Sequence, residues 1–526
     1  MKFQGAYLAL LLIATGWAQS PGQEDRPLSQ IEILEIAAGG ISSDFAARLL
    51  EKKGLDFEPT DAFVQKLQSV GAGDGLLRAL PAAKRSRPQG TEPTVNLEAI
   101  LPLLVLGAAE RQQNRFAEAE KDSRAALMLD PTSWILHLAL GNLLTKQAKW
   151  DSAVLEYRES LRLNAGFAIT HIALGLALGN KGDDEGASAE FQEAERLEPG
   201  NPVAHFNLGI ALEQTGHLDG AIREYRKTVK LRPDLAAAHL NLGRVLVRKG
   251  DVESGIGEFR DALRLAPDLA AAHYDLGLAF HQKRDLNEAI SEFRQALHLR
   301  FEAAGVHANL GRALEEKKDV EAAIAEYRTA LQLDPDDAQM HTSLANNLMS
   351  RKDLDAAIRE YREAVRLEPG VAAAHTNLGS ALYAKEDLEG ALTQYREAVR
   401  LQPDDAVAHY LLGHALELKG DLDEALAEFR EAVSLQPNYP EAHYRIGNVL
   451  RKKTDEDGAI AEYRKAILLE PSLAPAHFNL GLALEKKGER DAALEQFRLA
   501  SQLKPNNESF RSNYEMRLHT LKDHKQ

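Results

Sequence analysis

The sequence predicts an all-α protein built as a stack of helix pairs, an α-solenoid. Three observations predict it. A histidine recurs eleven times from His137 to His477, always 34 residues from the last. Each 34-residue unit holds two amphipathic stretches, such as one near 407–419 and one near 423–436. Nearly every unit closes on a proline, from Pro199 to Pro505, which ends a helix.

Composition narrows the possibilities further. The 526 residues are 44% hydrophobic and 27% charged, which suits a folding chain. A net charge of −16 argues against a nucleic-acid binder, since phosphate neutralisation needs clustered Lys and Arg. With no cysteine there is no disulfide, thiolate metal site or cysteine nucleophile, and no lipoprotein anchor.

Residues 1–18 read as a secretory signal. Lys2 precedes an apolar run from Ala6 to Ala14, and Gly16 and Ala18 suit a cut before Gln19. The run is too short for a membrane span, which needs about 20 residues, and no other stretch qualifies. Export to the periplasm or the extracellular space is therefore expected. Residues 28–80 read as a small helical module. Ser29 and Glu32 form a capping box for its first helix, Gly54 ends a second and Thr60 caps a third. The glycines at 71, 73 and 75 lie between helices and read as turn chemistry. Residues 81–99, with three prolines, read as a linker.

From residue 100 the register is tight. Leu or Ile lies three after each His, and Gly follows it, as at Gly141, Gly379 and Gly481, with Ala345 the exception. Ala recurs sixteen after the His, and Tyr or Phe always stands twenty after it, from Tyr157 to Phe497. The mid-helix Gly costs about 1 kcal/mol relative to Ala, so a repeated Gly needs a repeated reason. Close approach of the partner helix, with its Ala, is the expected one. Ala165 and Phe301 replace the closing proline in two copies, where a looser turn is expected.

This skeleton resembles the tetratricopeptide repeat (TPR) family, over residues 100–507, as twelve units. The resemblance implies a right-handed superhelix of the kind found in exported bacterial members, with the first helix of each pair lining a concave surface. Residues 508–526 leave the repeat. Phe510, Tyr514, Leu518 and Leu521 share a helical face, which reads as a cap on the last unit.

No catalytic signature is present: no Gly-Lys pair for a phosphate loop, no H-E-x-x-H and no strand-flanked G-x-S-x-G. The chain is read as a non-enzyme needing no cofactor or metal. Paired acids such as Asp183-Asp184 and Asp404-Asp405 read as helix caps and solvated charge. The His row reads as packing, because equivalent residues on helices 8–10 Å apart cannot share an ion. Burial would depress each His pKa, so acidification would loosen the core. The Glu and Arg recurring two apart, from Glu156 and Arg158, read as a solvated face.

Two rows are candidate binding residues. Asn207, Asn241, Asn309, Asn377 and Asn479 recur two after the His, with Asp275 in phase. Amides offer donor and acceptor, so such a row can grip a peptide backbone. It is similar to the asparagine ladder in the TPR superhelix of O-linked N-acetylglucosamine transferases. One residue earlier stand Phe206, Tyr274, Tyr410, Tyr444 and Phe478, as surface anchors or as core. No Lys occupies that position, which disfavours a clamp for a C-terminal carboxylate. The expected function is a scaffold that binds proteins or peptides. The alternative is the substrate-recruiting part of a glycosyltransferase system whose catalytic domain is a separate chain.

Overall fold

The computed structural model describes residues 27–85 and 97–523. The secretory signal, residues 86–96 of the linker and the Leu521 side chain lie outside the described residues. Among those described there are twenty-nine α-helices, and the only extended pairing is two isolated bridges through Leu55. The chain is an all-α TPR solenoid. It divides after Asp285 into two compact units.

The first unit begins with the module: α1 (Gln30–Ala38), α2 (Ser43–Lys53), α3 (Asp61–Ser69) and α4 (Asp74–Ala79). Ser29 and Glu32 make the reciprocal capping box on α1, and the Thr60 hydroxyl accepts from the Phe63 amide at 3.2 Å. Gly54 takes φ 75°, ψ −166°, a conformation that only glycine adopts freely. The glycine-rich turn wraps Ser43, whose hydroxyl accepts from the Leu76 amide at 2.8 Å.

Helix α1 packs on α5 (Leu97–Gln112) and on α7 (Trp134–Lys146), which flank α6 (Phe116–Leu129) in sequence. Arg111 of α5 donates to the Ala38 carbonyl, and a Cβ on Gly39 would lie 2.7 Å from that of Ala139. Glu35 is sealed into this contact, its Oε2 accepting from the Ser133 hydroxyl at 2.7 Å. Burial pushes its pKa up to about 8, so it is largely protonated at neutral pH.

After α6 the pairs are nearly identical. First helices such as Ala372–Ala384 run 13 residues and second helices such as Leu388–Leu401 run 14. The turn between them holds one residue at positive φ. It is Gly at 182, 216, 250, 420 and 488, but Lys352, Glu386 and even β-branched Thr454 adopt it too. Asp183 and Asp387 then cap the second helix, accepting from the Gly186 and Gly390 amides. Asp405 caps a first helix in the same way.

The mid-helix glycine has a different reason from the one expected. What fills its space is an aromatic ring rather than the small Ala. A Cβ on Gly141 would stand 2.4 Å from the Tyr157 ring, on Gly175 2.6 Å from Phe191, and on Gly379 2.7 Å from Tyr395. These rings are almost fully buried. In the exceptional unit, Ala345 is buried and Tyr361 is 4% exposed, so one methyl is accommodated there.

The missing prolines act differently from each other. Ala165 still offers its carbonyl to His171 at 3.3 Å, as proline does elsewhere. At Phe301 the turn changes. Helix Leu286–His298 stops one residue short of its counterparts, and Arg300 takes φ 61°. At the far end, helix Glu508–Asp523 stacks Phe510 on Phe478 at 4.8 Å, and Arg517 lies over the Phe497 ring.

Two outcomes follow from this packing. Gly379→Val is expected to destabilise by about 1–3 kcal/mol through overpacking against Tyr395, although leaving Gly normally favours a helix. Urea denaturation read by helical circular dichroism measures it. Glu35→Gln is expected to stabilise the module at pH 8 and above and to change nothing at pH 4. The folded pKa is raised, so the cost of Glu35 grows as pH climbs from 4.5 towards 8. Hydrogen exchange of α1 amides at the two pH values checks it.

Candidate functional site

The histidine row is a set of identical three-way joints. Each imidazole stands on a first helix. Nδ1 meets the residue nineteen on, in the second helix of the same pair: Glu156 for His137 at 2.7 Å, Glu224 for His205 at 2.8 Å, Glu462 for His443 at 2.6 Å. Gln394 and Gln496 replace Glu for His375 and His477. Nε2 meets the carbonyl six residues back, in the turn from the preceding pair: Pro131, Pro199 and Pro437 in the same three cases.

The Glu of the expected solvated face is therefore a structural acceptor, and at Glu224 it is buried. The expected pKa direction is also reversed at two joints. Burial pushes His137 and His205 down, but the carboxylates of Glu156 and Glu224 and the carbonyls of Pro131 and Pro199 push them up further. At His205 both ring nitrogens face acceptors, and only the doubly protonated ring donates to both. Glu224 is raised by burial but lowered more by His205 and Lys227.

Two groups bring three possible metal ligands together: Glu195, His205 and Glu224, and His239, Glu258 and Asp261. In the first, the Lys227 ammonium already lies 2.6 Å from Glu195 and 3.1 Å from Glu224. It supplies the positive charge that two carboxylates and an imidazole would otherwise seek. In the second, Asp261 pairs with Arg264 on its own helix.

A second ladder escaped the sequence reading. Lys or Arg ten after one His reaches the acid fourteen after the preceding His, thirty residues back. Lys181 meets Asp151, Lys249 meets Asp219, Arg351 meets Glu321, and Lys385 meets Asp355. Lys453–Asp423 and Lys487–Asp457 continue it. These are exposed pairs worth about 0–1 kcal/mol each, so they set register more than strength. The signal was in the sequence as a recurring opposite-charge pair at one fixed separation.

The predicted binding rows divide. Phe206 and Asn207 are buried, at 3% and 1% exposed, and Asn207 donates to the Val203 carbonyl at 2.9 Å. Neither is reachable by a partner. The other residues, Asn241, Asn309, Asn377, Asn479, Tyr274, Tyr410, Tyr444 and Phe478, are half-buried. Asn479 donates to Asn448 at 2.7 Å and to the Tyr444 hydroxyl at 3.2 Å, in the preceding pair. Asn241 reaches Tyr225 in the same sense. Asp275 holds Arg244 at 2.5 Å, though burial raises its pKa on balance.

The aromatics lean on the ring of their own second helix: Tyr410 on Phe429 at 5.8 Å and Tyr444 on Tyr463 at 6.1 Å. Phe478 is sandwiched by Phe497 and Phe510. So each is part core and part surface. The buried tyrosines also send their hydroxyls to this face, to Asn142, Asn346 and Asn448. Those asparagines, five after the His, were missed; Asn142 and Asn346 remain accessible, while Asn448 is buried.

Comparison with known proteins places the pattern. A family model described as "TPR repeat" matches residues 214–250, 345–386, 379–420, 414–454 and 447–488. Two models described as "Tetratricopeptide repeat" match 240–301 and 274–338, and 474–507. Together they cover more than half of the chain. No curated protein matches. Among solved structures, the chain is similar to YrrB, described as a TPR protein with an unusual peptide-binding site. That match has 25% identity and covers 35% of this chain and 95% of that one, with a TM-score of 0.33. It is similar to MamA at 28% identity, over 31% and 95%, with a TM-score of 0.30. It is also similar to pilF of Pseudomonas aeruginosa at 23% identity, over 40% and 97%, with a TM-score of 0.36.

The histidine joints predict a pH dependence. Because the folded pKa of His137 and His205 is raised, their contribution is complete below the unfolded value of 6.5 and is lost as pH rises through the folded value. In a Glu35→Gln background the melting temperature should be higher at about pH 6 than at about pH 8. Adding His137→Gln and His205→Gln should shrink that difference. A lower melting temperature at the acid value would contradict the assignment.

Proposed function

The chain belongs to the tetratricopeptide-repeat family, and we propose that it is a non-catalytic scaffold holding a protein or peptide on the face made by its first helices. The supporting observation is the division of labour among surfaces. Buried rings fill the glycine notches, histidines tie each pair to the turn before it, and exposed ion pairs link second helices to the next pair. The first-helix face is left with half-exposed amides and aromatics in a repeating row.

Such a row suits an extended chain. A peptide backbone presents a donor and an acceptor at each residue, and an Asn side chain answers both. Half-buried tyrosines add anchoring area at low entropic cost. The face is not free along its whole length. The module presses Gly39 against Ala139, at the position where other units carry Asn. We place the accessible residues of the first unit at Asn241 and Tyr274 and, separately, those of the second unit at Asn309, Asn377, Tyr410, Tyr444 and Asn479.

We also propose that the protein works outside the cytoplasm, in the periplasm or beyond the cell. This rests on Lys2, the apolar run to Ala14 and the small residues at 16 and 18.

The test is capture of native partners by purified protein, compared with a variant carrying Asn241→Ala, Asn309→Ala and Asn377→Ala. The variant is expected to keep its helical content and lose captured partners. An unchanged capture profile with intact folding removes the row as the binding surface.

A further inference from the structure

One stretch of the first-helix face differs from the rest in charge and in ring content. It lies in the second unit, on helices Ala372–Ala384, Ala406–Lys419 and Pro440–Lys452. Four half-exposed rings run in series there. Tyr383 lies 5.5 Å from His414, His414 6.2 Å from Tyr410, and Tyr410 5.0 Å from Tyr439. Rings at these separations touch one another and make a continuous apolar strip on which a side chain can lie.

Cations lie beside the Tyr410 part of the strip, while the acids Glu441 and Asp405 act on Tyr439 at its end. The carboxylate of Glu417 is only 4% exposed, and two cations share it: Lys452 at 2.7 Å and Arg445 at 3.4 Å. Next to Lys452, the Arg451 Nε is buried without a hydrogen-bond partner. Arg445 also lies 5.9 Å from the centre of the Tyr444 ring. The positive charge is felt nearby: His414 is held down by burial and by the charges of Arg445 and Lys452. In a chain of net charge −16, this places two cations beside half-exposed rings on a first-helix face.

We propose that this patch docks an extended peptide segment of a partner protein that carries an Asp or Glu side chain next to an aromatic or aliphatic one. The inference rests on the peptide-binding reading above and adds the partner's chemistry and place. Arg445 is the carboxylate's main contact, since guanidinium pairs with carboxylate through two parallel donors. Lys452, 46% exposed, adds charge while keeping its contact with Glu417, so the buried carboxylate is not stranded when Arg445 turns to the incoming acid. The apolar neighbour lies on the Tyr410–Tyr439 strip. Single-stranded nucleic acid also favours rings beside cations, but three cations in an acidic chain are a poor match for a run of phosphates.

The test uses the full chain and fluorescein-labelled peptides in fluorescence anisotropy. The probes are Gly-Ser-Phe-Glu-Phe-Asp-Ser-Gly, the same peptide with Gln and Asn for the acids, and one with Lys for both. The acidic peptide is expected to bind at least about tenfold more tightly than either control and to weaken as salt rises. Arg445→Gln and Lys452→Gln should each cost at least about fivefold in that affinity, while Arg430→Gln, on the exposed side of a second helix, should cost nothing. Should Arg445→Gln perturb folding, the exposed Lys452→Gln still decides.

Equal binding of all three peptides overturns the charge assignment and leaves peptide binding in place. No binding of the acidic peptide overturns this proposal, while the capture experiment decides the wider reading separately. Binding of a labelled oligothymidylate more tightly than the acidic peptide overturns it in favour of nucleic acid.

Discussion

One contact sets the terms for the rest: an aromatic ring from each second helix filling the notch left by a glycine in the first. At Gly175 and Phe191, or Gly243 and Phe259, the ring stands where a Cβ would be. That contact fixes the spacing of the two helices in a pair, and so fixes where the remaining side chains fall. It also explains why a residue poor in helix propensity recurs at a helix centre. The local cost of about 1 kcal/mol is offset by burying a ring, worth roughly 1.5–3 kcal/mol. Where Ala345 stands in place of glycine, Tyr361 is still buried, so the notch is a tight fit rather than an absolute bar.

With the pair fixed, two further contacts join it to its neighbour. The histidine reaches the preceding turn through its Nε2, and the cation ten residues on reaches the acid of the preceding pair. These contacts are short in sequence and repeat at constant phase. A solenoid built of them gains stability from each unit and each nearest-neighbour junction, without any long-range closure. That leaves one face unclaimed by packing, which is why the candidate binding residues collect there. It also makes local charge informative. Along a face of repeating chemistry, Arg445 stands where other units carry Asn, while Lys452 with Glu417 repeats the pairing of Arg248 with Glu213.

Much of this was legible in the residues. Period, helix count per unit and caps could be read because each depends on residues within one turn or one unit. The pair at 406–419 and 422–435 lies within a residue of the expected bounds. The partner of the glycine was misread because both candidates, Ala and the aromatic, recur at the same period. Phase alone does not say which one faces the notch. The pKa direction of His137 and His205 was misread for a related reason. Burial was foreseeable from their positions, but the opposing carboxylate and carbonyl come from two other segments.

The sequence by itself determined the architecture: an uninterrupted 34-residue period admits only a stack of like units, since each helix pair exposes an apolar face that the next must cover. It also excluded disulfide and thiolate chemistry within these residues, because the sequence has no cysteine. The tertiary structure decided which members of each row remain available. Asn207 and Asn479 hold the same place in the repeat, yet one is buried and the other spans to a neighbouring pair. The difference lies in what packs around each unit, and that depends on non-equivalent neighbours, the one thing a repeating pattern does not encode.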